Sequence, residues 1–154
     1  MRHLRLTIAM VVGLLVAAAC GPAPAYPPAI ATAEGAWTVN FTQTGGFAGV
    51  QLVTRVSSDG QLKAEDIRSG RLVEQQLPRS TVQELGQLLA QIDLPRAQRP
   101  GSSCADCFIY DLELSSATGI VRLQVDDTSI ADSGAQPLIQ LLVKLRDQAL
   151  QSEN

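Results

Sequence analysis

Apolar and polar residues alternate along Trp37-Thr-Val-Asn-Phe-Thr42, which puts Trp37, Val39 and Phe41 on one face and predicts a half-buried strand. Val50-Gln-Leu-Val-Thr-Arg-Val56 is β-branched and mostly apolar, and predicts a second strand. Between them lies Thr44-Gly45-Gly46-Phe47-Ala48-Gly49, which reads as a hairpin loop of roughly five residues. Glycine supplies positive φ or a close backbone approach at three of its positions. Phe47 is then either a ring folded back over the end of the sheet or a ring offered to a partner.

The pattern continues in the same style. Ser57-Ser-Asp-Gly60 and Ser69-Gly70 are turn signals, Gln61 to Ile67 alternates weakly, and Arg71 to Leu77 is a further polar-edged strand. Pro78 ends the sheet run, and Ser80 with Gln83 predicts a capping box for a helix carrying Val82, Leu85, Leu88, Leu89 and Ile92 on one face. That helix must stop before Pro95. After a Pro-, Gly- and Ser-rich loop, Phe108–Leu114 and Ile120–Val125 predict a second hairpin that turns at Ser116–Gly119 and ends at Asp126-Asp127. Asp132 or Ser133 is placed to cap a last helix with Leu138, Leu141, Leu142 and Leu145 in one stripe. The expected class is α+β: one antiparallel sheet of about six strands in the order ββββ-α-ββ-α, with two amphipathic helices packed on it.

The N-terminus bears on where the chain works. Arg2 and Arg5 precede an apolar run from Leu6 to Val16 that is too short to span a bilayer comfortably, and Ala17-Ala18-Ala19 precedes Cys20. This resembles the signal and lipobox of bacterial lipoproteins, with Ala17 where leucine is most common. The resemblance implies a lipoprotein signal peptide over residues 1–19, a lipidated Cys20, and a Pro- and Ala-rich tether over 20–34. A plain signal peptide cleaved nearby is the alternative. The folded domain is then 35–150, held to a membrane of the bacterial cell envelope on its extracytoplasmic side.

Loss of Arg2 and Arg5 with the signal leaves 10 of the 12 basic residues against 15 acidic ones, a formal net charge of −5. That argues against nucleic acid as a partner. His3 is the only histidine and leaves with the signal, so the mature chain has no imidazole for a Ser-His-Asp or Cys-His arrangement or for a zinc site. No catalytic residue, metal site or cofactor is expected, and the protein is read as a non-enzyme. Carboxylate pairs suited to glycoside chemistry are not singled out by any spacing. Asp126, Asp127 and Asp132 lack the spacing and terminal Glu of a calcium loop, and read as turn formers and caps, with a metal- or ligand-sensing segment as the sharper alternative. Cys104-Ala-Asp-Cys107 runs into a strand rather than opening a helix, unlike a redox motif. With Cys20 taken by lipid, Cys104 and Cys107 are expected to form a short structural disulfide, with thiol–disulfide exchange as the alternative. Asn40-Phe-Thr42 matches a glycosylation acceptor inside a strand and is assigned no function.

The glycine hairpin Thr44–Gly49, the Leu-rich helix in mid-chain, Phe108-x-Tyr110-x-Leu112, the strand end Val125-Asp-Asp127 and the final Leu-rich helix together resemble the emfourin family of small bacterial proteins. Founding members of that family inhibit thermolysin-type zinc metalloproteases such as protealysin. The resemblance covers about Val39 to Leu145 and departs at the lipoprotein signal, the hairpin from Gln61 to Leu77 and the Cys104–Cys107 segment. It implies an inhibitor that occludes the substrate cleft of such a protease, with Gly45, Gly46, Phe47, Ala48 and Gly49 on or beside the contact surface; a monomer is expected because one sheet-helix core can bury both apolar stripes. A non-enzymatic envelope lipoprotein with a structural or assembly role is the alternative, in which the glycines only turn the chain.

Overall fold

A computed structural model of the chain describes residues 35–92 and 104–152. The expected signal, Cys20 and the tether lie outside the described residues. The elements follow as β1 (Trp37–Gly45), β2 (Val50–Ser57), β3 (Gln61–Asp66), β4 (Arg71–Gln76), α1 (Arg79–Gln91), β5 (Phe108–Ser116), β6 (Gly119–Asp126), a short 3-10 turn (Ile130–Asp132) and α2 (Gln136–Gln151). The order is the one that the periodicity predicts. All six strands pair antiparallel in one sheet with the order β4-β3-β2-β1-β5-β6, so β1 is central and pairs on both sides.

The two faces differ because the strands alternate. Trp37, Val39 and Phe41 of β1 share a face with Val56, Leu62, Ala64, Val73, Leu112, Leu114, Leu123 and Val125, and these join the helices in a single core. The opposite face is polar and braced by cross-strand pairs: Lys63 Nζ to Glu74 Oε1 at 3.2 Å, Arg122 Nε to Glu113 Oε2 at 2.7 Å, and Gln124 Nε2 to Asp111 Oδ1 at 2.7 Å. Exposed pairs of this kind contribute little to stability, about 0–1 kcal/mol each, and mainly keep the face wet. The described helices therefore stack on one side only, as the two apolar stripes require.

Helix α2 lies across β2, β3 and β4 and touches α1. It buries Leu138, Ile139, Leu142, Leu145, Arg146 and Ala149, while Leu141 is only partly buried at the flank. Helix α1 buries Leu85 and Leu89, with Ile92 just beyond its end, and passes Trp37 at Gly86, where a Cβ would make only ordinary contact with the indole Nε1 at 4.0 Å.

Both expected helix caps differ from the structure. The N-cap of α1 is Pro78, whose carbonyl accepts from the Thr81 and Val82 amides at 3.0 and 3.2 Å, so Ser80 falls inside the first turn and makes no capping box with Gln83. Proline fixes φ near the value needed to turn from strand into helix, and the helix starts one residue after it. Helix α2 begins after Ala135, with Pro137 in its first turn. Ser133 acts one step earlier: its Oγ accepts from the Ala135 amide at 3.0 Å and donates to the Ile130 carbonyl at 2.6 Å, shaping the approach.

Candidate functional site

One end of the sheet gathers the features that the sequence singles out. β1 and β3 run toward this end and β2, β4 and β5 start from it, so the β1–β2 loop, the β3–β4 turn, the Cys104–Cys107 segment and the residues after β6 all emerge together.

The β1–β2 loop is a four-residue connection closed by the Gly45–Val50 pair. The Gly49 amide donates to the Gly46 carbonyl at 2.9 Å, which makes Phe47 and Ala48 the central residues of a β-turn. Gly45, Gly46 and Gly49 have φ of 87°, 67° and 57°, a region that L side chains rarely adopt. Space adds a second demand: a Cβ at Gly45 would lie 2.6 Å from the Cys107 carbonyl oxygen, and one at Gly46 would lie 2.4 Å from Cε1 of Phe108. Phe108 thus covers the end of the sheet where Phe47 would otherwise fold back. Phe47 points outward and is fully exposed, at 101% of its reference area. The ring is therefore not folded back over the end of the sheet but faces solvent.

The tip is held from both sides. The Gly46 amide donates to the Cys107 carbonyl at 3.0 Å, and Cys107 is joined to Cys104 by a disulfide with Cα atoms 5.5 Å apart. On the other side the Arg68 guanidinium donates through Nη1 to the Ala48 carbonyl and, at 3.2 Å, to the Gly49 carbonyl. Nothing in the local sequence marks Arg68 for this, since its target lies 20 residues away on a different hairpin. Beside the tip is a shallow hollow of about 310 Å³ lined by Val50, Leu52, Asp66, Arg68 and Ser69.

The acidic residues at the end of β6 and just after it are engaged by their own chain. Asp126 is buried, and its Oδ1 accepts from the Thr128 amide and hydroxyl and from the Ser129 amide and hydroxyl at 2.6–2.9 Å. Asp127 accepts from the Phe108 amide and from the Tyr110 hydroxyl, both at 2.8 Å, and so pins the start of β5. Burial, and then the hydrogen bond and charge of Asp127, push the Tyr110 phenol up to about 12. Among the described residues no three His, Cys, Asp or Glu side chains gather in a group that could hold a metal ion.

Two residues deeper in this end escape sequence reasoning. Arg146 is 2% exposed, and its Nη1 donates to Oε1 of buried Gln43 at 2.8 Å, while Nε and Nη2 reach Asp147 Oδ1 at 2.9 and 2.8 Å. This links α2 to β1 directly beneath the hairpin.

No helix among the described residues is long and apolar enough to cross a membrane. The loop end presents one outward aromatic ring on a braced turn, a geometry suited to contact with a partner. No family model matches the chain, and no curated protein does.

Proposed function

We propose that this chain is a membrane-tethered, extracytoplasmic binding protein that acts as an emfourin-like inhibitor of a thermolysin-type metalloprotease, occluding the substrate cleft with the Gly45–Gly49 hairpin. The observation that carries this reading is the exposure of Phe47 on a tip whose backbone is fixed at both ends. A large aromatic side chain left wholly in water, on a turn built to hold it there, is the form of an interface anchor. Rigid presentation lowers the ordering cost of binding, which favours a braced loop over a floppy one.

Inhibition would come from shape. With its single histidine expected to leave in the signal, the mature chain has no imidazole with which to strip zinc from an enzyme, so the hairpin would exclude substrate by filling the cleft. The test is titration of the purified protein against thermolysin with a fluorogenic peptide substrate. Inhibition that saturates, and that added zinc does not reverse, is the expected result. No inhibition of several such proteases at micromolar protein would overturn this reading in favour of an envelope lipoprotein with an assembly role.

A further inference from the structure

We infer that Arg68 is the positioning residue of the hairpin tip, a clamp supplied by the β3–β4 turn that holds Phe47 in one orientation before any partner arrives. The inference rests on the reading of Phe47 as the contact residue. Arg68 sits in a turn that is itself rigid. The Asp66 carboxylate accepts from the Arg68 amide at 3.0 Å, from the Ser69 amide at 3.4 Å and from the Ser69 hydroxyl at 2.8 Å. The Ile67 amide donates to the Gln51 carbonyl at 2.9 Å, which fastens the turn to β2. From that fixed base the guanidinium reaches the carbonyls of Ala48 and Gly49.

Those carbonyls belong to the second half of the tip, while the first half is tied through the Gly46 amide to Cys107. Phe47 lies between the two anchors. A loop with three glycines in six residues has large backbone freedom, and an unanchored second half would let the ring sample many directions. A charged donor to a carbonyl is stronger than a neutral one, and one arginine nitrogen carries two N–H groups to serve both acceptors. Because Arg68, Phe47, Ala48 and Gly49 are exposed, this bracing orders the tip locally and contributes little to the global fold.

The test has two arms. Backbone 15N order parameters of Phe47, Ala48 and Gly49 in the purified protein should be near about 0.85 and should fall below about 0.6 in Arg68→Ala, with Arg68→Lys between them and Phe41 unchanged. Order parameters that do not change in Arg68→Ala would overturn the inference. In the second arm, inhibition of thermolysin is measured for Arg68→Ala, Phe47→Ala and the double variant. Arg68→Ala should weaken inhibition about tenfold when Phe47 is present and have almost no effect when it is absent. Equal losses in both backgrounds would show that Arg68 contacts the enzyme itself and does not act through Phe47. If the order parameters fall but even the parent protein fails to inhibit, the protease reading is lost and the clamp stands.

Discussion

The Gly46 amide donates to the Cys107 carbonyl at 3.0 Å, so the tip of the first hairpin is tied to the residue that leads into β5. That same carbonyl leaves no space above Gly45, where a Cβ would approach it to 2.6 Å. Gly45→Ala should therefore combine the cost of positive φ with displacement of a strand entry, about 2–4 kcal/mol in all. Gly70, at φ 70° with nothing within 4 Å, is the control, and its Ala variant should cost only about 1–2 kcal/mol. Urea unfolding of both variants checks the difference; equal losses would mean that the close approach is not felt.

Phe47→Ala should leave the urea midpoint unchanged, because the ring is fully exposed. On the proposed function, the same change should weaken protease inhibition by more than about 2 kcal/mol, the size of an aromatic anchor. A parallel loss of stability and inhibition would place the ring against the core in solution.

Thr54 is fully buried, and its Oγ1 has no hydrogen-bond partner among the described residues. An unpaired buried hydroxyl is destabilising, and valine has nearly the same shape. Thr54→Val should therefore stabilise the protein by about 0.5–2 kcal/mol, read as a higher urea midpoint with the same slope. A destabilised variant would reveal an internal partner for the hydroxyl.

The Tyr110 phenol, raised to about 12 from 10.0 by burial and by Asp127, links stability to alkaline pH. A raised folded value means that the folded state keeps its proton where the unfolded chain has lost it. The contribution is present in full below about pH 10 and is lost as pH rises through about 12. The parent protein should lose stability across that window, by less than the whole shift implies because solvent reaches and screens part of the site. Tyr110→Phe should flatten this loss, while costing about 1–2 kcal/mol at neutral pH through the Asp127 hydrogen bond. Denaturant midpoints between pH 9 and about 12 decide it; a parallel decline in both proteins would assign the loss to other groups.

Lipid attachment is a separate matter from folding. On the lipoprotein reading, Cys20→Ser should abolish fatty-acid labelling and release the protein from membranes, with no change in the unfolding of the domain. Continued labelling and sedimentation of the variant would end the lipoprotein reading.

Strand alternation and helix periodicity are local, and they were legible. Trp37, Val39 and Phe41 share a face because side chains in a strand alternate, and Leu85 and Leu89 share one because they are about one helical turn apart. A single sheet with both helices on one side follows from those two periods, and the structure has it. The caps were less legible. Ser80 and Ser133 are good capping residues by type, yet the direction in which the chain enters each helix is set by packing, and it moved the caps to Pro78 and Ala135.

The orientation of Phe47 was undetermined in the sequence for a physical reason. A ring beside three glycines turns inward or outward according to what else covers the end of the sheet. Pairing of β1 with β5 brings Phe108 from far along the chain to lie against Gly46, which occupies that place and leaves Phe47 to the solvent. Arg68 and Arg146 follow the same logic. Their acceptors lie on Ala48 and on Gln43, the latter 103 residues away, and only strand order and helix docking bring such partners together. Periodicity records which face a residue occupies, whereas contacts between distant segments exist only once the chain has closed around its core.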